Sequence, residues 1–184
     1  DGVRLPRPSK IVRIGPLGLF VNDVPAAEKF YRDQLGFLFT EEVSWDGHRC
    51  VFLRCNTEHH SLALYPLALR AGLGLSANTT CMTFGLQLAS YEQLRNAVSF
   101  LRARGVRVND AIPSELYPGM DYVAHVLDPD GHCLQLYYYM EQVGWDGKPR
   151  PQELRRKVVG REWPESIDPA ADVYQGEPFF GPWG

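Results

Sequence analysis

One supersecondary pattern occurs twice in this chain. Residues 11–66 and residues 80–139 each read strand, helix, strand, strand, strand. Aligning Leu35-Gly36-Phe37 with Arg104-Gly105-Val106 gives an offset of 69 residues, which marks an internal duplication of one unit and not a solenoid. A single unit of this kind leaves one sheet face bare, so two units must pair their sheets around a shared core. The expected fold is therefore α+β: two tandem βαβββ units forming a cup-like, curved mixed sheet with helices outside.

Local signals support each element. IVRIGPLGLFV at 11–21 is apolar and β-branched enough for a strand. Asn22 or Asp23 caps the next helix, Pro25 suits its first turn, and Gly36 ends it. FLFTEEVSW and HRCVFLRC flank Asp46-Gly47, a hairpin turn, and SLALY closes the unit. After a connector at 67–79 the pattern restarts with the strand CMTFGLQL. Ser90 and Gln93 then suggest a capping box before a stripe of Leu94, Ala97, Val98 and Leu101. VRVND reads as a short strand, residues 111–119 as a loop, and DYVAHVL and HCLQLYYY as strands joined by Asp128-Pro129-Asp130-Gly131.

The chain of 184 residues divides into the paired domain, 1–139, and a tail, 140–184, that holds three of the four Trp with many Pro and Gly. That tail is too aromatic for plain disorder. It is expected to wrap the body or a partner subunit, anchored by Trp145, Trp163, Phe179, Phe180 and Trp183. A net charge of −3 gives no electrostatic case for nucleic acid, and no basic run suits an anionic membrane. The apolar runs are too short to span a bilayer. Cys50, Cys55, Cys81 and Cys133 fall in strand-like segments without CxxC spacing, which predicts free thiols in a reducing, cytoplasmic setting.

Three strings carry a family resemblance: VNDVPAAEKFYRDQLGF, HHSLALY and DPDGHCLQLY, in order with matching elements between. They resemble the vicinal oxygen chelate (glyoxalase/bleomycin resistance/extradiol dioxygenase) superfamily. They are most similar to the metal-bearing C-terminal domain of type I extradiol ring-cleavage dioxygenases. The resemblance implies a possible further N-terminal domain, a homodimer, and a small aromatic or phenolic molecule as partner. It also implies an iron held by two His and a Glu, but those positions hold Pro16, Thr83 and Gln135. Pro offers no ligand atom, and Thr and Gln offer only neutral oxygens, so no metal and no other cofactor is expected. Pro16 within a strand further implies an edge or a bulge.

The same register places the family's acid/base His on His60, an adjacent His on His59, and its active-site Tyr on His125. Two imidazoles near one cavity could act as general base and acid, or be a hydrogen-bonded structural pair. By strand alternation His59 is expected to face solvent, as are His132 and His48 beside their turns and Tyr117 in its loop. Tyr122 could line the cup or fill the core. Cys81 and Cys133 are expected as inward core thiols beside Thr83 and Gln135. Three functions stay open at this point. The first is metal-independent acid/base chemistry of the lyase, isomerase or hydrolase type through His60 and His125, with Thr83, Gln135, Tyr122, His59 and Pro16 at the substrate. The second is an aromatic-ligand binding or resistance protein. The third is a ring-cleavage dioxygenase or other enzyme with a relocated metal on His60, His125 and a carboxylate.

Overall fold

The first strand, β1 (Ile11–Val21), becomes the middle of the sheet because apolar residues occupy both of its faces over 16–21. In this computed structural model, residues 7–143, 147–155, 158 and 163–167 are described. After β1 come α1 (Val24–Asp33), β2 (Leu38–Trp45), β3 (His48–Arg54) and β4 (Leu62–Pro66). A 3-10 helix, Leu67–Leu73, leads to β5 (Cys81–Leu88), α2 (Tyr91–Arg102), β6 (Val123–Leu127) and β7 (Cys133–Tyr137). The strands form one sheet in the order β2-β3-β4-β1-β5-β7-β6. β1 pairs in parallel with β4, β5 in parallel with β7, and β1 with β5 antiparallel. The two halves thus repeat each other outward from the β1–β5 seam.

Strand alternation sorts the side chains. Leu62, Leu64, Val51 and Leu53 pack outward with Val24 of α1, and Leu86, Leu88, Leu136, Ala124 and Val126 pack outward with Leu94, Ala97 and Val98 of α2. The opposite, inner face carries Phe20, Cys50, Phe52, Ala63 and Tyr65, covered by Leu69, Leu73, Ile112 and Leu116.

The caps follow from single residues. Asp23 accepts from the Ala26 N–H at 2.9 Å, and Ser90 accepts from the Gln93 N–H at 3.2 Å. The capping box at α2 is only half formed, because Gln93 Oε1 accepts from the Lys10 N–H at 2.7 Å instead. Ser90→Ala should therefore cost about 1 kcal/mol, readable as a lowered urea midpoint at unchanged m-value.

VRVND does not become a strand. Only Val108 bridges β6, with Leu127 N–H donating to Arg107 O and Asn109 N–H to His125 O. Asn109 then turns the chain: its Oδ1 accepts from the Ala111 N–H at 3.0 Å and its Nδ2 donates to Leu73 O at 2.9 Å. Pro16 lies in a bulge, since the β1–β5 register shifts between Ile14 and Leu17; the Gly15–Pro16 peptide is cis. All four cysteines are free, with Cys55 exposed just beyond the end of β3 and so outside any strand.

From the tail, Trp163 packs 5.9 Å from the Tyr122 ring and 6.3 Å from Tyr91. Tyr91 donates to Pro164 O at 2.6 Å. Trp145, Phe179, Phe180 and Trp183 lie outside the described residues. No helix among the described residues is long and apolar enough to cross a membrane.

Candidate functional site

The inner face brings Pro16, Thr83 and Gln135 onto three adjacent strands. Thr83 pairs with Gly18 across the β1–β5 seam, and Gln135 pairs with Gly85 across β5–β7. Gly85 is the point of closest approach: a Cβ there would lie 2.2 Å from Gly15 O and 2.5 Å from Pro16 N. Tyr137 seals the spot by donating its hydroxyl to Gly15 O at 2.7 Å. Gln135 Nε2 donates to Met120 Sδ at 3.5 Å. The iron implied by the resemblance does not fit these residues, because they supply neutral donors only and the Gly15–Pro16 backbone fills the space above Gly85. Among the described residues no group of three His, Cys, Asp or Glu side chains could hold a metal ion.

A polar chain lies beside this patch. His59 Nε2 is 2.8 Å from Glu41 Oε1, and His59 Nδ1 is 3.0 Å from His60 Nδ1. Arg155 Nη1 donates to the same Glu41 oxygen at 2.8 Å. Burial raises the Glu41 carboxyl, but the hydrogen bonds from His59 and Arg155, with the Arg155 charge, outweigh this and hold it below its usual 4.5. Ionised Glu41 can only accept, so His59 donates from Nε2. With His59 neutral, its Nδ1 accepts from His60 Nδ1–H, which leaves His60 Nε2 as the basic nitrogen. Burial above all, with the nearby Arg155 charge, pushes His60 well below 6.5. The Nε and Nη2 atoms of Arg155 are buried without a partner.

His59 is thus fully buried and not solvent-facing, because residues 55–61 bend and the alternation of β3 does not carry through them. Gly119 presses on it, with a built Cβ 2.5 Å from the ring. The backbone then links Gly119 O to Glu141 N–H and Glu141 O to His59 N–H, each at 2.8 Å. His60 packs edge-on against Phe52, ring centroids 5.1 Å apart.

His125 stands opposite Gln135 on β6, 5.2 Å from the Tyr117 ring, with Nε2 buried and unpartnered. Burial lowers it to about 3. Tyr117 is half-buried against the inner cluster and not a surface residue, and burial followed by the Glu115 charge raises its hydroxyl to about 12. Tyr122 packs on the helix side, 4.8 Å from Tyr91, and not toward the cup; it shares the parity of Ala124 and Val126, opposite to His125. His132 is exposed and bonded to Asp128 at 2.8 Å, while His48 is half-buried at the start of β3. Burial raises the Cys50 and Cys133 thiols to about 12 and raises Cys81 as well, which disfavours the thiolate in each.

His60, Thr83 and Gln135 are each 3% exposed or less, so the cup is closed over its polar floor. Two cavities open elsewhere: one of about 420 Å³ at the β6 edge, and one of about 990 Å³ between α2 and the outer face of the sheet. Glu41 and Arg155 carry no signal in the sequence. Glu41 sits in an acidic pair that reads as solvated, and a register shift between Phe39 and Glu41 turns it inward.

A seven-stranded sheet built from two repeated halves, with its polar residues gathered across the seam, defines a class of proteins built on one shared cup. The chain belongs to the Glyoxalase/Bleomycin resistance protein/Dioxygenase superfamily, which it matches over residues 13–136. It is 27% identical over 134 residues to 2,2',3-trihydroxybiphenyl dioxygenase of Sphingomonas paucimobilis, covering 73% of this chain and 44% of that protein. The crystal structure of 2,2',3-trihydroxybiphenyl 1,2-dioxygenase from dibenzofuran-degrading Sphingomonas wittichii strain RW1 matches with TM-score 0.55 at 25% identity, over 71% of this chain and 43% of that one. Homoprotocatechuate 2,3-dioxygenase from Arthrobacter globiformis shares the fold with TM-score 0.58 at 23% identity, over 76% and 40%. The chain is extradiol-dioxygenase-like and spans less than half the length of these relatives.

Proposed function

We propose that the inner face of the sheet binds a small phenolic molecule and that His60 Nε2 takes the phenolic proton. The Glu41–His59–His60 chain supports this reading most directly, because it fixes both tautomers and offsets the charge that forms on His60. The Nε and Nη2 edge of Arg155, buried without a partner, would receive the resulting phenolate, a fork suited to oxyanions. Thr83 and Gln135 orient the ring from the floor. His125 lies on β6, with β1, β5 and β7 between it and β4, so the proton-moving role falls to His60 alone. The loop over 113–120, which carries Leu116, Tyr117 and Met120 across the cup, must swing aside for entry. The tail of residues 140–184 supports the site by delivering Arg155. The relatives' aromatic substrates favour a ligand of this kind.

A second reading, aromatic-ligand sequestration without turnover, draws on Pro16, Thr83 and Gln135 at the family's ligand positions and on the pliant side chains Met82, Met120 and Met140 in the core.

Titration with 2,2',3-trihydroxybiphenyl, followed by phenol and phenolate absorbance, tests the proposal. Wild type should bind it as the phenolate below the phenol's own pKa. His60→Ala should bind it as the neutral phenol, with affinity reduced no more than about tenfold. Binding as the neutral phenol by both proteins would favour sequestration, and no binding would reject the cup as the site.

A further inference from the structure

The cavity of about 420 Å³ lies where the second unit lacks a strand. In the first unit β2 covers β3 along its length; in the second only Val108 bridges β6, and the chain then turns away at Asn109. The opening this leaves is lined by Val123, Ala124 and His125 of β6 and by Arg95, Val98, Ser99 and Arg102 of α2. Those four helix residues are spaced i, i+3, i+4 and i+7, a single stripe. Tyr117 and Trp163 supply aromatic walls.

We propose that this cavity is a binding site for a small aromatic acid carrying a hydroxyl group, separate from the cup. Three features specify that chemistry. Arg102 is exposed at the cavity and presents a guanidinium to a carboxylate. Arg95 adds positive charge while one of its nitrogens donates to Glu165 O at 2.5 Å. Asp110 is the acidic residue of the lining, so the two arginines leave the site net positive. The flat walls suit a ring, and the volume suits one or two rings. His125, only 4% exposed, brings a neutral imidazole whose Nε2 is buried and unpartnered. A ligand hydroxyl would give that orphaned nitrogen the partner it lacks, since a hydroxyl both donates and accepts. The occupant would touch Tyr117 and so brace the loop that covers the cup.

Calorimetric titration with 4-hydroxybenzoate tests this site, with 4-hydroxybenzyl alcohol as the uncharged comparison. Saturable binding to wild type is expected, weakened at least tenfold for the alcohol and tenfold for Arg102→Gln, an exposed position where folding is not at risk. His60→Ala and Arg155→Gln should leave it unchanged, which separates this site from the cup. Binding lost in Arg155→Gln but kept in Arg102→Gln would move the ligand to the cup and overturn the proposal. No saturation below about 10 mM would also overturn it, because such affinity is under 3 kcal/mol.

Discussion

Gly85→Ala should abolish folding or lower stability by about 4 kcal/mol or more, the range reserved for changes the structure cannot absorb. The added methyl would meet Gly15 O at 2.2 Å, Gly15 C at 2.3 Å and Pro16 N at 2.5 Å. All three are backbone atoms of the neighbouring central strand, so no side-chain rotation relieves the contact. Relief would need β1 and β5 to separate, and the β1–β5 seam is what joins the two units. Gly72→Ala is the matched comparison, because a Cβ there meets nothing within 4 Å and the backbone angle is ordinary. It should be neutral or slightly stabilising. Equal chemical-denaturation midpoints for the two variants would refute this account of the seam.

Acidification should unfold the protein in two overlapping stages. His125, lowered to about 3, and His60, lowered well below 6.5, stay neutral in the folded chain while the unfolded chain takes up protons below 6.5. In that window the unfolded state binds more protons, so stability falls as pH falls. Two such groups give a slope of ~2.7 kcal/mol per pH unit, and His125 alone gives up to about 5 kcal/mol by pH 3. Glu41 adds a second loss: its folded value is depressed below 4.5, so its contribution is complete above 4.5 and disappears as pH falls through the folded value. Against a total of roughly 5–15 kcal/mol, losses of this size remove a large part of the stability between pH 6.5 and pH 3. Urea midpoints from pH 8 to pH 4 give the measurement. His125→Gln should remove about one proton from the slope between pH 6.5 and 4.5, and a flat profile across that window would sink the argument.

The elements of the fold were legible because their signals are local. Asp23, Gly36, Ser90 and the Asp128–Gly131 turn each act within a few residues, and the repeat of the unit followed from them. VRVND misled because its β-branched residues suit a strand, while Asn109 hydrogen-bonds to Leu73, which is distant in sequence. The site was legible only where alternation held. Thr83, Gln135 and His125 share the inner face as a period of two predicts. His59 did not follow, because the chain bends between Cys55 and Ser61. Tyr122 could have been placed outward from its parity with Ala124. Glu41 needed knowledge of a bulge, and Arg155 reaches it from a tail segment with no periodicity.

The antiparallel seam also sets an order of events during synthesis. β1 is made before both of the strands that flank it: Leu17 pairs with Leu62, and Gly18 with Thr83. The β2–β3 hairpin can close as soon as it is made, whereas β1 must wait for β5 before its second edge is covered. Until about residue 88 has emerged, the strand destined for the centre of the sheet is an open edge. Mispairing with other chains is therefore most available while β1 waits for β5, and the two edges of β1 are covered at different times.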